Sequence, residues 1–167
     1  MANTKILPKR FDILDANDPD CSFRINIDVL NECFGANVSM FMQACWPQKR
    51  DMTIPGTKPG DKFFVWMPKL FKNKSEWKNS ISADGSMIYE VAEPTLKEDW
   101  MLTNKHDLEG IRLVFAKLAD NGPYRFVGAF VCDQMNNLAH SYKRIATRVR
   151  LIGDPVRMIE LLDNNRE

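Results

Sequence analysis

The chain has 167 residues, of which 44% are hydrophobic and 27% are charged, and its formal net charge is +1. These values predict one domain over residues 1–167, and the nearly neutral charge excludes an argument for nucleic-acid binding from overall charge alone. No apolar run reaches the roughly 20 residues that span a membrane, and the N-terminus lacks the apolar core of a signal peptide. We therefore expect a soluble cytoplasmic protein without a membrane partner.

The N-terminal part, residues 1–47, is expected to be helical. Apolar residues at helical spacing indicate a first helix, and Gly35 is placed to end it in a left-handed conformation. A second helix is expected to follow, with Asn37 as its N-cap and Pro47 at its end. The apolar residues of the two helices are Ile27, Leu30 and Phe34, then Met40, Phe41 and Ala44.

Residues 60–152 have the pattern of a sheet or barrel. After a loop rich in proline and glycine, the run "KFFVW" has the aromatic and β-branched composition of a strand. Two hairpins are predicted, one at Asp84-Gly85 and a larger one at Asp120-Asn121-Gly122-Pro123.

Residues 154–163 predict a C-terminal helix, with Asp154 as its N-cap and Pro155 at its first position. Short turns between neighbouring strands favour antiparallel pairing. The predicted fold class is therefore α+β, a mostly antiparallel curved sheet or partly open β-barrel flanked by N-terminal and C-terminal helices.

Basic residues concentrate in "HSYKRIATRVRLI", residues 140–152. If this stretch is one strand, its three arginines share the outer face, on which successive residues lie roughly 6.5 to 7 Å apart, close to the phosphate spacing of a nucleic-acid strand. Lys143 falls in the opposite register. The same pattern is also typical of an edge strand whose charged face is exposed to water. The predicted nucleic-acid contacts, including two lysines from a second basic segment, are Lys143, Arg144, Arg148, Arg150, Lys69 and Lys74.

Aromatic residues cluster in the middle of the chain, several of them beside lysines, as in "FVWMPKLFKNKSEWKN". Aromatic rings stack on bases while neighbouring lysines neutralise phosphates, so this composition fits a base-binding pocket. A place in the hydrophobic core is the alternative for Trp66, and a packing role is equally open for Trp77.

Signals for catalysis and for metal binding are weak. For His140, local packing is the alternative to a role as a general acid or base. For His106, nearby acids are the one indication of a catalytic role. The four cysteines form no close pair and are interpreted as reduced thiols, so no cofactor or metal is predicted. The acids that leave a metal-dependent nuclease open are Glu90, Glu93, Glu98 and Asp99.

The order of "GDKFFVWMPK", "WKNSISADGSMIYE" and "RLVFAKLADNGPYRFVGAF" ahead of the basic strand resembles the PUA-like β-barrel superfamily, which includes the SRA, EVE and ASCH domains. The resemblance covers residues 60–152 and implies a small barrel that binds nucleic acid. In the SRA and EVE branches it also implies a pocket that holds a flipped, often modified, base between aromatic rings. The residues that would form it here are Trp66, Trp77, Tyr89 and Tyr124, with Asp84 as a polar reader of the base edge.

The leading hypothesis is a non-catalytic nucleic-acid-binding domain that reads modified bases, in the manner of restriction or phage-defence modules, with DNA favoured over RNA. Two alternatives remain open: a pocket for a small ligand or peptide, and a metal-dependent nuclease. The sequence predicts neither the oligomeric state nor the identity of the base.

Overall fold

The computed structural model describes residues 8–47, 52–71, 77–92, 109–135 and 139–163. These ranges contain one helix, α1 (Asn26–Phe34), and no helix within them is long and apolar enough to cross a membrane. The strands in the same ranges are β1 (Ile13–Asp15), β2 (Ser22–Phe23), β3 (Cys45–Trp46), β4 (Ile54–Pro55), β5 (Lys62–Trp66), β6 (Trp77–Ile81), β7 (Met87–Ala92), β8 (Ile111–Lys117), β9 (Tyr124–Met135), β10 (Ala139–Ala146), β11 (Arg148–Ile152) and β12 (Met158–Leu161).

The described strands form two sheets. The larger sheet follows the order β3-β5-β8-β9-β10-β7-β6, with β2 added on β9 and β4 on β5, and the smaller sheet has the order β1-β11-β12. All pairs are antiparallel except β5–β8, which confirms the predicted mostly antiparallel arrangement. Because the larger sheet ends at β3 and β6 without pairing them, its described strands are open and do not close into a barrel.

Both predicted hairpins are present. β6 and β7 pair on either side of Asp84-Gly85, and β8 and β9 pair on either side of residues 118–123. Local turn residues therefore identified both of these connections.

The first predicted helix is confirmed as α1. It ends at Gly35, whose φ of 67° is left-handed as expected, and the N–H of Gly35 donates to the C=O of Asn31. Its buried face packs into the main hydrophobic cluster and consists of Val29, Leu30, Cys33 and Phe34.

The second predicted helix is wrong, because residues 37–44 contain no helix. The Asn31 side chain bonds both the backbone N–H and the C=O of Val38, and Asn26 donates to the C=O of Phe41. These side chains occupy backbone groups that a helix would pair internally, so the segment stays irregular until β3.

The predicted C-terminal helix over residues 154–163 is also wrong. The segment forms a turn followed by β12, in which Ile159 is fully buried while Met158 is exposed. That alternation belongs to a strand, and β12 pairs with β11 along its whole length. A partner strand outweighs the local helix-start pattern at Asp154.

The larger sheet has a hydrophobic cluster on each face, since successive residues of β5 and β8 alternate between the two. One cluster packs α1 and the smaller sheet against the first face. The buried members of the cluster on the second face are Trp66, Leu70, Ile88, Val114, Ala116, Phe130 and Tyr142.

The chain passes from one sheet to the other at Thr147, between β10 and β11. The carboxylate of Asp163 accepts hydrogen bonds from the backbone N–H and hydroxyl of Thr147 and from the backbone N–H of Arg148. Partial burial by itself raises the pKa of Asp163, but these hydrogen bonds outweigh it, so the pKa is lowered.

We expect Asp163→Ala to lower the free energy of unfolding by roughly 1 to 2 kcal/mol at neutral pH. Because the folded-state pKa is lowered, the contribution of Asp163 is complete above its ordinary pKa and is lost as the pH falls through the folded value. Chemical denaturation at neutral and acidic pH measures this loss of unfolding free energy. Asp120→Ala, at an exposed position, is the control. An equal destabilisation by Asp163→Ala at both pH values would contradict the assignment.

Candidate functional site

The second face of the larger sheet, which points away from α1, carries polar side chains among its hydrophobic residues. We call it the polar face and define it by Trp66, Asn79, Glu90, Arg112, Phe130, His140 and Tyr142. They come from β5 through β10, and the strand register places them on one side: Arg112 lies opposite Phe130, and Glu90 lies between Asn79 and His140. Polar groups at these alternate positions are unusual in strands that are otherwise apolar.

An arginine lies between two aromatic rings at the centre of the polar face. The guanidinium carbon of Arg112 is 4.9 Å from the ring centroid of Trp66 and 4.7 Å from that of Tyr142. The two rings are themselves 4.9 Å apart and tilted by 53°. Since Arg112 is only 6% exposed, its charge is stabilised by these ring faces rather than by bulk water.

A row of three polar side chains crosses β10, β7 and β6 next to this stack. Nδ1 of His140 is 3.5 Å from Oε1 of Glu90, and the hydroxyl of Tyr142 donates to the same oxygen at 3.2 Å. Asn79 is the register partner of Glu90 on the other side. Burial raises the pKa of Tyr142 well above its ordinary value, so its hydroxyl keeps its proton and acts as the donor to Glu90.

Two atoms of this row have no hydrogen-bond partner. Among the described residues, Nε2 of His140 and Oδ1 of Asn79 are the buried side-chain nitrogen and oxygen atoms left unpaired. An unsatisfied buried polar atom costs roughly 1 to 3 kcal/mol, so such atoms are rare in folded proteins unless a ligand pairs them. The polar face therefore places unused hydrogen-bonding capacity beside buried aromatic rings.

Arg144 does not lie on an outer face with Arg148 and Arg150, so that prediction is wrong. The stretch changes sheets at Thr147, which places Arg144 on the large sheet and the other two on the small one. The guanidinium of Arg144 donates to the backbone C=O groups of Val127 and Asp84, each at 3.3 Å, and so holds the tip of the β6–β7 hairpin.

Arg148 and Arg150 are half-exposed on β11, and each faces an acid. Arg148 is 3.9 Å from a carboxylate oxygen of Asp15 on β1, and Arg150 forms an ion pair with Glu160 on β12. β11 is the central strand of its sheet rather than an edge. These arginines face solvent with their charges partly compensated.

The predicted lysines are separated in the structure. Lys143 is exposed on the reverse of the sheet, since its neighbour Tyr142 points to the polar face. Lys69 is exposed just beyond Trp66, where the backbone pairs with Lys117. Lys74 lies outside the described residues.

The residues predicted to form a base pocket do not all converge. Trp66 lies on the polar face, whereas Tyr89, next to Glu90 in β7, is 43% exposed on the reverse face. Tyr124 is half-buried at the far hairpin, 6.0 Å from the ammonium of Lys117. Trp77 begins β6, but its side chain lies outside what the structure describes.

Asp84 lies exposed at the tip of the β6–β7 hairpin, close to the guanidinium of Arg144. Hydrogen bonds from the Ser86 hydroxyl, the Ser82 hydroxyl and the Ser86 backbone N–H lower the pKa of Asp84 to about 2. The structure thus brings Asp84 and Arg144 together, with the Asp84 carboxylate stabilising the turn.

Sequence reasoning missed Asn79, Arg112 and Tyr142 as site residues and considered Glu90 only as a metal ligand. A period of two was a usable signal, since it places His140, Tyr142 and Arg144 on one face. Within the described ranges, no group of three His, Cys, Asp or Glu residues is arranged to hold a metal ion. Glu93, Glu98 and Asp99, the other acids of the nuclease alternative, lie outside those ranges.

Known proteins resemble this chain in sequence and in fold. The family model of the SRA domain, SET and RING associated, matches residues 11–151. A solved structure of the 5-hydroxymethylcytosine-specific restriction enzyme AbaSI is similar at 26% sequence identity with a TM-score of 0.59. The match covers 83% of this chain and 42% of AbaSI, so this chain spans less than half of that enzyme. No curated protein matches the chain.

These matches confirm the predicted resemblance and the predicted function, a nucleic-acid-binding domain of the kind that reads modified bases. They do not favour the nuclease alternative. Since the family model covers residues 11–151, most of the chain, the protein belongs to the SRA domain family.

Proposed function

We propose that this chain binds duplex DNA and holds one modified cytosine, turned out of the helix, against the polar face. The observation that carries the proposal is the pair of unpartnered buried atoms, Nε2 of His140 and Oδ1 of Asn79, beside the stack of Trp66, Arg112 and Tyr142. The similarity to AbaSI suggests cytosine with a substituent at its 5 position as the base.

The chemistry of a flipped base matches the two parts of this site. Its flat faces pack against aromatic rings, and its edge carries donors and acceptors that need partners once they leave the duplex. Base–aromatic stacking contributes roughly 1 to 3 kcal/mol per base, which offsets part of the cost of unstacking. Because Nε2 of His140 is buried, binding requires the polar face to open to the base.

Phosphate contacts are proposed at Lys69 and Lys117. Their backbones pair side by side just beyond Trp66, and among the described residues neither side chain forms an ion pair with an acid. Two adjacent cations without acidic partners attract an anion where the chain passes beyond Trp66. Lys74, Lys143, Arg144, Arg148 and Arg150 remain predicted contacts.

Salt dependence separates these contacts. Replacing both Lys69 and Lys117 by alanine should make the slope of log affinity against log salt less steep by about 2. Each phosphate contact contributes about 0.9 to the steepness of this slope. Arg148→Ala combined with Arg150→Ala removes the same charge but should lower it less, since Asp15 and Glu160 already compensate these arginines. Fluorescence anisotropy between about 50 and 200 mM salt measures both slopes. A larger loss of slope in the arginine pair would reverse the assignment.

The proposed function is tested with short duplexes that differ in one base: cytosine, 5-methylcytosine or 5-hydroxymethylcytosine. We expect a modified duplex to bind more tightly than the unmodified one, and a duplex RNA of the same sequence to bind more weakly. Equal affinity for all three DNA duplexes would contradict the reading of a modified base.

A further inference from the structure

We infer that Nε2 of His140 selects a hydroxymethyl over a methyl substituent at the 5 position of the bound cytosine. The inference rests on the proposed function, because it assigns one chemical group of the modified base to one atom of the site. It starts from the burial of His140, which is 4% exposed and has one ring nitrogen without a partner.

The surroundings of the other ring nitrogen determine what Nε2 can do. Nδ1 of His140 lies 3.5 Å from Oε1 of Glu90 and 3.5 Å from the hydroxyl oxygen of Tyr142. The carboxylate has no proton to donate, and the one proton of the Tyr142 hydroxyl goes to Glu90. In the neutral ring the proton therefore sits on Nδ1, and Nε2 is a free acceptor.

A hydroxyl group satisfies this atom in every protonation state. If the ring is neutral, the hydroxyl donates to Nε2, and if the ring is protonated, the hydroxyl accepts from it. A methyl group can do neither and leaves the buried nitrogen unpaired. A site built to bond a hydroxyl rejects an analogue that lacks it, because the polar atom of the protein then stays unsatisfied.

Asn79 supplies a contact of a different kind. It lies on the far side of Glu90 from His140, two strand spacings or roughly 10 Å away across the sheet. The 4-amino group, which neighbours the 5-substituent on the ring, would donate to Oδ1 of Asn79. All cytosines carry this amino group, so Asn79 contributes to binding without distinguishing the substituents.

The test measures the affinities of the wild type and three variants for the unmodified, methyl and hydroxymethyl duplexes. Wild type should prefer hydroxymethyl over methyl by roughly 5- to 100-fold, the range expected for one buried hydrogen bond. His140→Phe keeps a ring of similar shape without nitrogen and should bind the two modified duplexes equally. Asn79→Ala should weaken binding to all three duplexes by a similar factor and leave the preference unchanged.

Tyr142→Phe keeps the ring next to Arg112 and Trp66 but removes the hydroxyl that faces His140. Nδ1 still faces Glu90 in this variant, so Nε2 remains an acceptor and the preference for hydroxymethyl should persist. If His140→Phe does not fold, as checked by thermal unfolding, His140→Leu takes its place, because it also lacks the ring nitrogens. A preserved preference in the folded His140 variant would overturn the inference.

Two outcomes in the wild type separate this inference from the proposed function. If both modified duplexes bind equally and more tightly than the unmodified one, the role of His140 is wrong and the proposed function stands. If no modified duplex is preferred, both are wrong.

Discussion

Gly128→Ala is expected to lower the free energy of unfolding by roughly 2 to 5 kcal/mol. Gly128 lies in β9 with a φ of 130°, a conformation that residues with a Cβ rarely adopt. A Cβ there would lie 2.6 Å from Cδ of Arg144 and 2.7 Å from the backbone oxygen of Ala146. Both distances are too short for any real contact, and the second neighbour is backbone that cannot move aside.

Chemical denaturation measures this effect, and Gly122→Ala is the matched control. A Cβ at Gly122 meets its nearest neighbours, atoms of Ala119, at an ordinary 3.4 Å, so we expect a change below roughly 1 kcal/mol. Similar stabilities for the two variants would show that the close approach of Arg144 over Gly128 is wrong. The hairpin tip that Arg144 holds would then lack its described support.

Trp66→Ala is expected to destabilise the protein by roughly 3 to 5 kcal/mol. Trp66 is 2% exposed and contacts both Tyr142 and the guanidinium of Arg112, so its removal leaves a cavity beside a buried cation. Thermal and chemical unfolding give the magnitude. A loss below about 1 kcal/mol would contradict the described packing.

Trp66→Phe separates the two roles that the sequence left open for this residue. Phenylalanine retains much of the packing and should lower stability by less than the alanine variant does. If Trp66 also forms a wall of the base site, the folded variant should lose affinity for both the modified and the unmodified duplex, as Asn79→Ala does. If Trp66 serves the core alone, both affinities should equal those of the wild type.

Elements that depend on local chemistry could be predicted from the sequence. The two hairpins follow from turn residues at Asp84-Gly85 and at residues 120–123, and the end of α1 follows from a glycine that adopts a left-handed conformation. The predictions of a second N-terminal helix and of a C-terminal helix were wrong for a different reason. Asn26 and Asn31 form hydrogen bonds with the backbone after α1, and β12 pairs with β11. A local sequence pattern shows neither of these contacts.

The candidate site could be predicted only in part. Alternation placed polar residues on one face of the strand before Thr147, but it did not show that the strand ends there and that the next one joins another sheet. His140 looked solitary because its partner Glu90 is distant in the chain and becomes a neighbour only through the pairing of β7 with β10. Strand register, which sequence patterns do not specify between distant strands, assembles the site.

The central claim is that a modified cytosine lies against the polar face, and nuclear magnetic resonance of protein labelled at histidine nitrogens tests it most directly. The chain has two histidines, His106 and His140, so His140→Phe assigns the imidazole signals without ambiguity. On adding the hydroxymethyl duplex, we predict a shift of the Nε2 signal of His140 that the unmodified duplex does not produce. Tight binding of the modified duplex with an unchanged His140 signal would contradict the account.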